Sequence, residues 1–289
     1  MNNDPHHGGG DPLGRGPLMP DRRLLAWAAG AVLLALAALA WLAGPEALAW
    51  LQRPMVDGRP HRIDMVQAWH ARAMVLAWAV MIPLGILAAR FFKVTPRQAW
   101  PAALDNKWWW HMHLALQIGG VVLTAGAAAL IWRVAGSDEG LARLHRISAW
   151  ATCALAAVQV LGGVLRGSKG SPDEPGDHYD MTGRRVVFET AHKLAGYLAL
   201  AVAAVAIVTG LLHVNAPRWM PVLIGAWSLA WAGAFAWLQC RGWCIDTYQA
   251  IWGTDPRHPG NRRPPVGPGI RQLGAPGNGA CRGGTPPAV

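Results

Sequence analysis

Four histidines stand close to the beginnings of four successive apolar segments of the chain. They are His70, His113, His145 and His192. Ionisable side chains cost free energy inside a membrane, so each one in an apolar segment calls for an explanation. Neutral imidazole is a common ligand of metal ions and of haem iron. Taken singly, each histidine is better explained as a hydrogen-bonded residue at a membrane boundary than as a ligand, so the pattern of all four carries the prediction.

The segments that carry these histidines are long enough to cross a bilayer. The chain has 289 residues, of which 53% are hydrophobic and 15% charged, whereas a soluble domain has about 25% charged residues. Ala, Leu and Val dominate each segment, which favours helices over a β-barrel. The predicted fold class is all-α, a polytopic membrane protein with six transmembrane helices. The predicted spans are 24–43, 69–90, 108–132, 142–166, 187–213 and 219–239.

The two ends of the chain have a different composition from the apolar segments. Residues 1–23 are rich in Gly, Pro, Asp and His and are predicted to form a disordered tail. Residues 245–289, rich in Pro, Gly and Arg, are predicted to have no fold of their own. A signal peptide is the competing interpretation of residues 24–43, but the apolar run is long for one, and we expect a retained helix.

Lysine and arginine are unevenly distributed among the predicted loops. If the amino terminus is inside, the inner loops carry twelve of these residues without counting the long final tail, and the outer loops carry eight. Basic loops remain in the cytoplasm, so both termini are predicted to be cytoplasmic, in the plasma (inner) membrane if the protein is bacterial. The same rule explains the net charge of +10. We therefore expect the protein to contact membrane lipid and not to bind nucleic acid.

The antiparallel order of the helices predicts which histidines face each other. The second and fourth spans begin on the outer side, and the third and fifth begin on the inner side. His70 is therefore predicted to face His145, and His113 to face His192. Cofactors in helix bundles are held by inward side chains on facing helices. We therefore expect a central four-helix bundle that holds two stacked haems, with these four histidines as metal ligands.

Basic and small residues near the histidines fit the same prediction. Cations within two residues of a proposed ligand are candidates for pairing with haem propionates, although snorkelling towards lipid headgroups explains them equally well. These cations are Arg72, Arg146 and Lys193. Gly196 lies one helical turn after His192 and would let a flat porphyrin approach the helix. Arg90 is a further cofactor-binding candidate, since it could attract an anion at the inner end, although the positive charge of cytoplasmic loops explains it equally well.

Other residues that could carry chemistry form no matching pattern. His111 competes with His113 but lies two residues away, on roughly the opposite face of the helix. His178 and His258 fall in a predicted loop and tail, where we expect them to be solvated. Cys240 and Cys244 could bind a metal or be redox-active, but two cysteines alone rarely make a zinc site. The absence of a C-x-x-C-H motif argues against covalent haem attachment.

Four short stretches within residues 69–214 together resemble the cytochrome b561 transmembrane family, especially the cores that accompany DOMON domains. Each stretch is a weak signal alone, but their order and spacing are specific. They are His70 followed by Trp78 and Pro83-x-Gly85, then Trp110-x-x-His113-x-x-x-Gln117, then His145-Arg146, and finally His192-x-x-x-Gly196-Tyr197. The chain departs from the DOMON-associated pattern because the segment before this core is too short for a DOMON domain.

This resemblance implies two non-covalent b-type haems, each with two histidine ligands, and favours His113 over His111 as a ligand. A haem with both axial positions filled implies one-electron transfer, here across the membrane in a reductase. Ascorbate, quinol or ferric species are donors or acceptors consistent with the family. Three alternatives stay open: a haem-free permease, an anchor subunit of a redox complex, and a cytochrome subunit that serves a separate dehydrogenase or quinone pool.

Overall fold

The computed structural model describes residue 34 and residues 44–61, 63–134 and 140–273. Within these residues the chain is helical and forms no β-strand beyond two isolated bridges. Residues 44–52 are helical. The predicted tail 1–23 lies outside the described residues, and so does the predicted first span 24–43 except for residue 34.

Five helices in the described part of the chain are long and apolar enough to cross a membrane. They are α1 (Met65–Phe91), α2 (Trp108–Ile131), α3 (Gly140–Val164), α4 (Gly183–His213) and α5 (Trp219–Cys240). These bounds agree with the second to sixth predicted spans to within four residues. The chain is therefore an all-helical protein with the features of an integral membrane protein, and contact with lipid follows from its apolar helices.

Helix α1 begins four residues before its predicted start because a capping box precedes it. The Asp64 carboxylate accepts a hydrogen bond from the Gln67 backbone at 2.7 Å, and the Gln67 side chain accepts one from the Asp64 backbone at 3.1 Å. This reciprocal pair satisfies two amide groups that a helix start leaves without partners. The predicted start follows from the first apolar residues of the span. The first turn of the helix contains the polar Gln67, so the predicted start is four residues later than the observed one.

The middle of α1 is a π-helical segment, Leu76–Met81. Within it, the indole of Trp78 is 6% exposed and donates a hydrogen bond to the Thr124 hydroxyl of α2 at 3.0 Å. The carbonyl of Ala79 accepts a hydrogen bond from the Trp227 indole of α5 at 2.6 Å. The irregular segment thus joins α1 to the helices on both of its sides.

Helices α1 to α4 form a bundle around a small apolar core. Helix α1 packs along α2, and α3 packs along α4. Alanines from three helices meet the indole of Trp78 at the centre, and they are Ala77, Ala156, Ala199 and Ala203. Small side chains allow helix backbones to approach closely within a membrane. Helix α5 packs against α1 and leaves most of its surface exposed.

Residues 241–273 fold back onto one end of the bundle, and we call them the return segment. The segment contains a short helix, α6 (Thr247–Trp252), and a 3₁₀ turn, Pro259–Arg262. Its side chains Ile245, Tyr248 and Gln249 are at most 1% exposed. The prediction of a tail without a fold is therefore wrong for residues 245–273. Residues 274–289 of that tail lie outside the described residues.

The loops at the same end hold the return segment in place. The indole of Trp100 donates to the Gln249 carbonyl at 3.3 Å, and the backbone of Asp105 donates to the Ala250 carbonyl at 3.1 Å. The side chain of Asp105 forms an ion pair with Lys169 of the loop between α3 and α4. Polar groups of the return segment thus find hydrogen-bond partners in other parts of the chain, as buried polar groups require.

Candidate functional site

The four predicted histidines lie on four different helices and come together in two couples. His70 of α1 and His145 of α3 form the first pair, with ring centroids 6.3 Å apart and ring planes at 85°. His113 of α2 and His192 of α4 form the second pair, with centroids also 6.3 Å apart and planes at 72°. The couples are those expected from the antiparallel order of the helices.

The spacing within each pair suits one metal ion between the two rings. Imidazole nitrogen binds metals at about 2.0 Å, so two rings on opposite sides of one iron have centroids roughly 6 Å apart. The observed 6.3 Å meets this requirement in both pairs. Within the described residues, no group of three or more His, Cys, Asp or Glu side chains surrounds a common point. Each pair therefore consists of two imidazoles that could hold one haem iron.

Three of the four rings are oriented by hydrogen bonds to backbone carbonyls. The Nδ1 atoms of His70, His113 and His145 lie 2.9, 3.1 and 2.8 Å from the carbonyl oxygens of Ala127, Gly85 and Ala206. An Nδ1–H that donates to a carbonyl leaves Nε2 as the ligand and fixes the plane of the ring. This arrangement is typical of histidines that bind metal.

His192 differs from the other three histidines. Its Nδ1 is buried and has no hydrogen-bond partner. The ring instead packs against Phe188 with centroids 5.3 Å apart. The backbone carbonyl of His192 accepts a hydrogen bond from the Gln159 side chain of α3 at 3.1 Å. Packing, rather than a bond to the ring, therefore orients this imidazole.

A cavity of about 590 Å³ lies between α1, α2, α3 and α4 beside the first pair. Its walls include His70, His145, Trp78 and Arg146, and most of the others are apolar. Pockets for cofactors have volumes of roughly 300–1,000 Å³ and are lined mainly by apolar groups. The cavity has the size and the chemistry that a porphyrin with polar edges requires.

Gly210 of α4 allows the close contact between this helix and His145. A Cβ atom at position 210 would lie 3.0 Å from Cε1 and from Nδ1 of the imidazole. Gly196, the glycine predicted to face a porphyrin, instead has the side chain of Gln159 as its nearest neighbour, 3.9 Å from a Cβ placed there. Of these two glycines, Gly210 is the one that shapes a histidine site.

The predicted cofactor-binding cations lie in three different surroundings. Arg146 lines the cavity beside His145. Arg72 is exposed and lies over the Trp69 ring at 5.1 Å. Lys193 and Arg90 donate to carbonyls of the return segment, at 2.7 Å to Val266 and 2.8 Å to Pro268. Of the four, Arg146 thus has the position expected of a partner for a propionate, and Lys193 and Arg90 lie against the return segment.

A buried group of charged residues near the second pair was not predicted. The Glu189 carboxylate, one turn before His192, lies 3.2 Å from the Arg185 guanidinium and 3.0 Å from the Lys193 ammonium. The side chain of Glu189 is 7% exposed. Buried carboxylates need such partners because their desolvation is costly. The i, i+4 spacing of Arg185, Glu189 and Lys193 was visible in the sequence as a signal of mutual pairing.

Two more buried charges belong to this group and lie outside the membrane-spanning helices. Burial, together with the positive charge of the nearby Lys193 ammonium, lowers the pKa of Lys93 to about 8. Burial raises the pKa of Asp246 to about 6, against the opposing effect of Lys93. The ammonium of Lys93 donates to the Ile245 carbonyl at 3.1 Å. The return segment is thus joined to the bundle through buried charges.

The expectation that His178 and His258 are solvated is wrong. His178 is 3% exposed and stacks on the Tyr248 ring with centroids 5.5 Å apart. Burial, assisted by the positive charge of Arg185, lowers the pKa of His178 to about 4. The ring of His258 stacks on the Trp252 indole, and both of its nitrogens are buried without a partner. The return segment encloses both rings, and its fold was not predicted.

His111 and the two cysteines Cys240 and Cys244 belong to neither histidine pair. His111 is exposed, two residues before His113 on α2. The Cys244 thiol is buried and donates to the Gly269 carbonyl at 2.5 Å, whereas Cys240 is exposed. This hydrogen bond indicates a structural role for Cys244 in the return segment.

The chain has a distant relative among known proteins. It is similar to a cytochrome b561, DM13 and DOMON domain-containing protein of Arabidopsis thaliana, with 25% identity over 179 residues. The similar region covers 60% of this chain and 18% of the relative, so the chain spans less than a fifth of the length of that protein. No family model and no solved structure matches the chain. The similarity supports the b561 family weakly.

Proposed function

We propose that the protein binds two b-type haems and transfers electrons across a membrane through them. The observation that carries this proposal is the pair of matched histidine couples, each with a centroid distance of 6.3 Å. The low-identity similarity to a cytochrome b561 protein points in the same direction. Bound haem would supply a reversible one-electron couple, and the protein would supply its ligands, its burial and its electrostatic surroundings.

The residues of the chain have separate tasks in this proposal. His70 and His145 would hold the haem at one site, and His113 and His192 would hold it at the other. A haem iron held by two imidazoles would supply one-electron transfer rather than oxygen chemistry. Arg146 lines the first cavity and would pair with a propionate, because a guanidinium binds a carboxylate strongly. Arg72, Arg90, Lys193 and Gly196 have weaker support as cofactor contacts.

The position of the two sites along the bundle fits transfer across the bilayer. His70 lies near the start of α1 and His113 near the start of α2, which runs in the opposite direction. The sites are thus at opposite ends of the bundle. The distribution of Lys and Arg supports an orientation with both termini and the second pair on the cytoplasmic side. Ascorbate, a quinol or a ferric species is a suitable redox partner for such a site.

The test is the haem content of the purified protein and of single histidine variants. The pyridine haemochrome assay should give two b haems per chain, and a reduced-minus-oxidised spectrum should show low-spin haem. His70→Ala and His192→Ala should each retain one haem, since each removes an axial ligand from one site only. His111→Ala is the matched control and should retain two, because His111 is exposed and belongs to neither couple.

The proposal fails if the protein remains colourless after haem is supplied during expression. A haem-free permease or an anchor subunit would then be the better interpretation. If His70→Ala and His192→Ala both retained two haems, the assignment of ligands would be wrong. If either variant lost both haems while His111→Ala kept them, the two sites would depend on each other for assembly.

A further inference from the structure

The cavity beside the first pair opens on the side where α2 and α3 face each other. Helix α1 packs along α2 and α3 packs along α4, whereas α2 and α3 pack little against each other. Trp132, at the end of α2, and Trp150 of α3 line the cavity and are 69% and 49% exposed. Residues that line a cavity and are also exposed mark its opening. The first site therefore opens towards the surroundings of the bundle through the gap between α2 and α3.

The two indoles at this opening meet each other across the gap. Their ring centroids are 5.4 Å apart and their planes are at 89°. Trp150 follows the start of α3 at Gly140 by ten residues, which is about 15 Å along the helix axis. Tryptophan in membrane proteins is enriched at the interface with water, whereas this indole lies within the apolar part of the span. A flat indole surface beside the cavity suits the ring of an aromatic molecule.

A groove on the surface of α2 continues the cavity, and we call it the α2 groove. It has a volume of about 490 Å³. Its walls are formed by Ala125, Ala128, Ala129, Leu130, Trp132 and Arg133. Ala128 and Trp132 line the cavity of the first pair as well, so the two spaces adjoin. The groove is apolar except for Arg133, and its three alanines leave room for a hydrocarbon chain. A molecule with an aromatic head and an apolar tail would fit, with its head at the opening and its tail in the α2 groove.

The position of the opening restricts the kind of molecule that can use it. Helices α2 and α3 are long and apolar enough to cross a membrane, so a molecule that reaches the gap between them must dissolve in the bilayer. A site that transfers electrons also needs a partner that is redox-active. Quinols meet both requirements, because they combine an aromatic head that carries two hydroxyl groups with an apolar tail. Ascorbate and ferric ions meet only the second requirement, since their charge keeps them in water.

We propose that the first site exchanges electrons with a lipid-soluble quinol that enters between α2 and α3, with its head beside Trp132 and Trp150 and its tail in the α2 groove. This inference rests on the proposed function. Oxidation of one quinol to the quinone releases two electrons and two protons. The electrons reduce two ferric haem irons to the ferrous form, one electron each. The protons pass to water at the end of the bundle where the exposed His213 lines the cavity. The reverse reaction returns the same electrons and protons to a quinone.

The test uses the full-length, haem-loaded protein in lipid nanodiscs and two benzoquinols with the same ring, one without a tail and one with a decyl tail. Haem absorbance follows the reduction of the ferric protein by each quinol and the oxidation of the ferrous protein by each quinone. Trp150→Leu should raise the quinol concentration needed for half the maximal rate, for both quinols, because it removes the surface for the head. Trp237→Leu is the matched control and should change neither, since this residue of α5 is also 49% exposed.

A second variant tests the place of the tail. Ala129→Phe fills the α2 groove and should raise that concentration about tenfold for the tailed quinol alone, because an overfilled site excludes the group that it held. Ala234→Phe is its control, on an exposed position of α5. If Ala129→Phe does not fold, Ala125→Phe, which lines the same groove, decides the outcome.

The inference is overturned if neither quinol nor quinone exchanges electrons with a protein that contains haem. It is also overturned if Ala129→Phe affects both quinols alike or neither of them, or if Trp150→Leu behaves as Trp237→Leu does. The haem content is measured for every variant, so that a loss of cofactor is not mistaken for a loss of quinol binding. Absence of haem from the wild type would overturn the proposed function itself, whereas haem without quinol reactivity would overturn this inference alone.

Discussion

At the scale of single residues, the absence of a side chain at Gly210 makes room for the His145 imidazole of the first pair. The backbone of α4 passes directly beside the His145 ring, whose Nδ1 bonds to the Ala206 carbonyl of the same helix at 2.8 Å. A methyl group at position 210 would lie 3.0 Å from two ring atoms. Since that distance is shorter than ordinary van der Waals contact, the ring would have to move and its hydrogen bond would weaken.

We therefore predict that Gly210→Ala weakens cofactor binding at the first site alone. Loss of a hydrogen bond that orients a ligating histidine reduces metal affinity by about 10- to 100-fold, so the first haem should be lost during dilution while the second is kept. Haem titration of the apoprotein measures the effect. Gly163→Ala is the matched control, because a Cβ there meets nothing within 4 Å. Equal haem affinity in the two variants would contradict the role of Gly210.

The sequence was informative about some residues of the site and not about others. The couples of histidines could be predicted, because consecutive membrane helices must alternate in direction and bring alternate starts to one side. The burial of His178 could not be predicted in the same way. It depends on contact with Tyr248, which forms only when a distant segment folds back. Local spacing carries no information about that step.

At the scale of elements, the π-helical segment of α1 is fixed to α2 by one buried hydrogen bond. The Trp78 indole donates to the Thr124 hydroxyl, which itself donates to the Gly120 carbonyl at 2.7 Å. Residues of π-helical segments often lie at functional sites, and Trp78 lines the cavity of the first pair. The bond therefore joins the irregular part of α1 to the wall of the cavity beside the first pair.

We predict that Thr124→Val destabilises the protein by about 1–3 kcal/mol, because it leaves the buried indole N–H without an acceptor. Valine has nearly the shape of threonine, so packing changes little. The thermal unfolding midpoint of the protein in detergent measures the effect. Thr190→Val is the control, since its hydroxyl is exposed and bonds only to the Val186 carbonyl of its own helix at 2.8 Å. An equal change in both variants would contradict a specific role for the Trp78 bond.

Helix positions were the most predictable level of structure, for a physical reason. A membrane span must be apolar over its whole length, so its composition marks it clearly. The polar ends of helices were predicted less well. Helix α4 begins four residues before its predicted start because Thr182 caps it, accepting a hydrogen bond from the Arg185 backbone at 3.3 Å. A capping residue and charged first turns belong to the helix but not to its apolar part.

At the scale of the whole molecule, the return segment covers one end of the bundle, and two buried titratable groups act on its docking with opposite signs. The pKa of Asp246 rises from 3.8 to about 6, so the docked form binds more protons than the open form. The titration of Asp246 therefore weakens docking of the return segment as pH rises from 4 to 6. The pKa of His178 falls from 6.5 to about 4, so the open form binds more protons. The titration of His178 therefore strengthens docking of the return segment over the same range.

The fold of this segment was the largest failure of prediction from the sequence. Proline, glycine and arginine over residues 245–273 indicated disorder because the segment has no apolar periodicity. It is ordered because other parts of the chain satisfy its polar groups: Arg90, Lys93 and Lys193 each donate to one of its carbonyls. A segment that is stabilised by contacts with the rest of the chain does not need an apolar periodicity of its own.

We predict that two single variants reveal the opposing effects on docking. In His178→Phe the stacking on Tyr248 can remain while the titration of the imidazole is lost, so amide protection of residues 243–252 should fall from pH 4.5 to pH 7. In Asp246→Asn the carboxyl titration is lost, so protection should rise over the same range. A pKa shift of about two units corresponds to a change of up to roughly 100-fold in the opening constant. Hydrogen exchange with correction for the intrinsic rate at each pH measures it.

The wild type should show a smaller change than either variant, because the two groups nearly compensate each other between pH 4 and 6. His258 is present in all three proteins, so it does not account for a difference between them. Protection of α3 serves as the internal control, since this helix does not carry either group and its exchange should follow the intrinsic rate alone. If both variants changed in the same direction with pH, burial of Asp246 and His178 would not be linked to docking of the return segment.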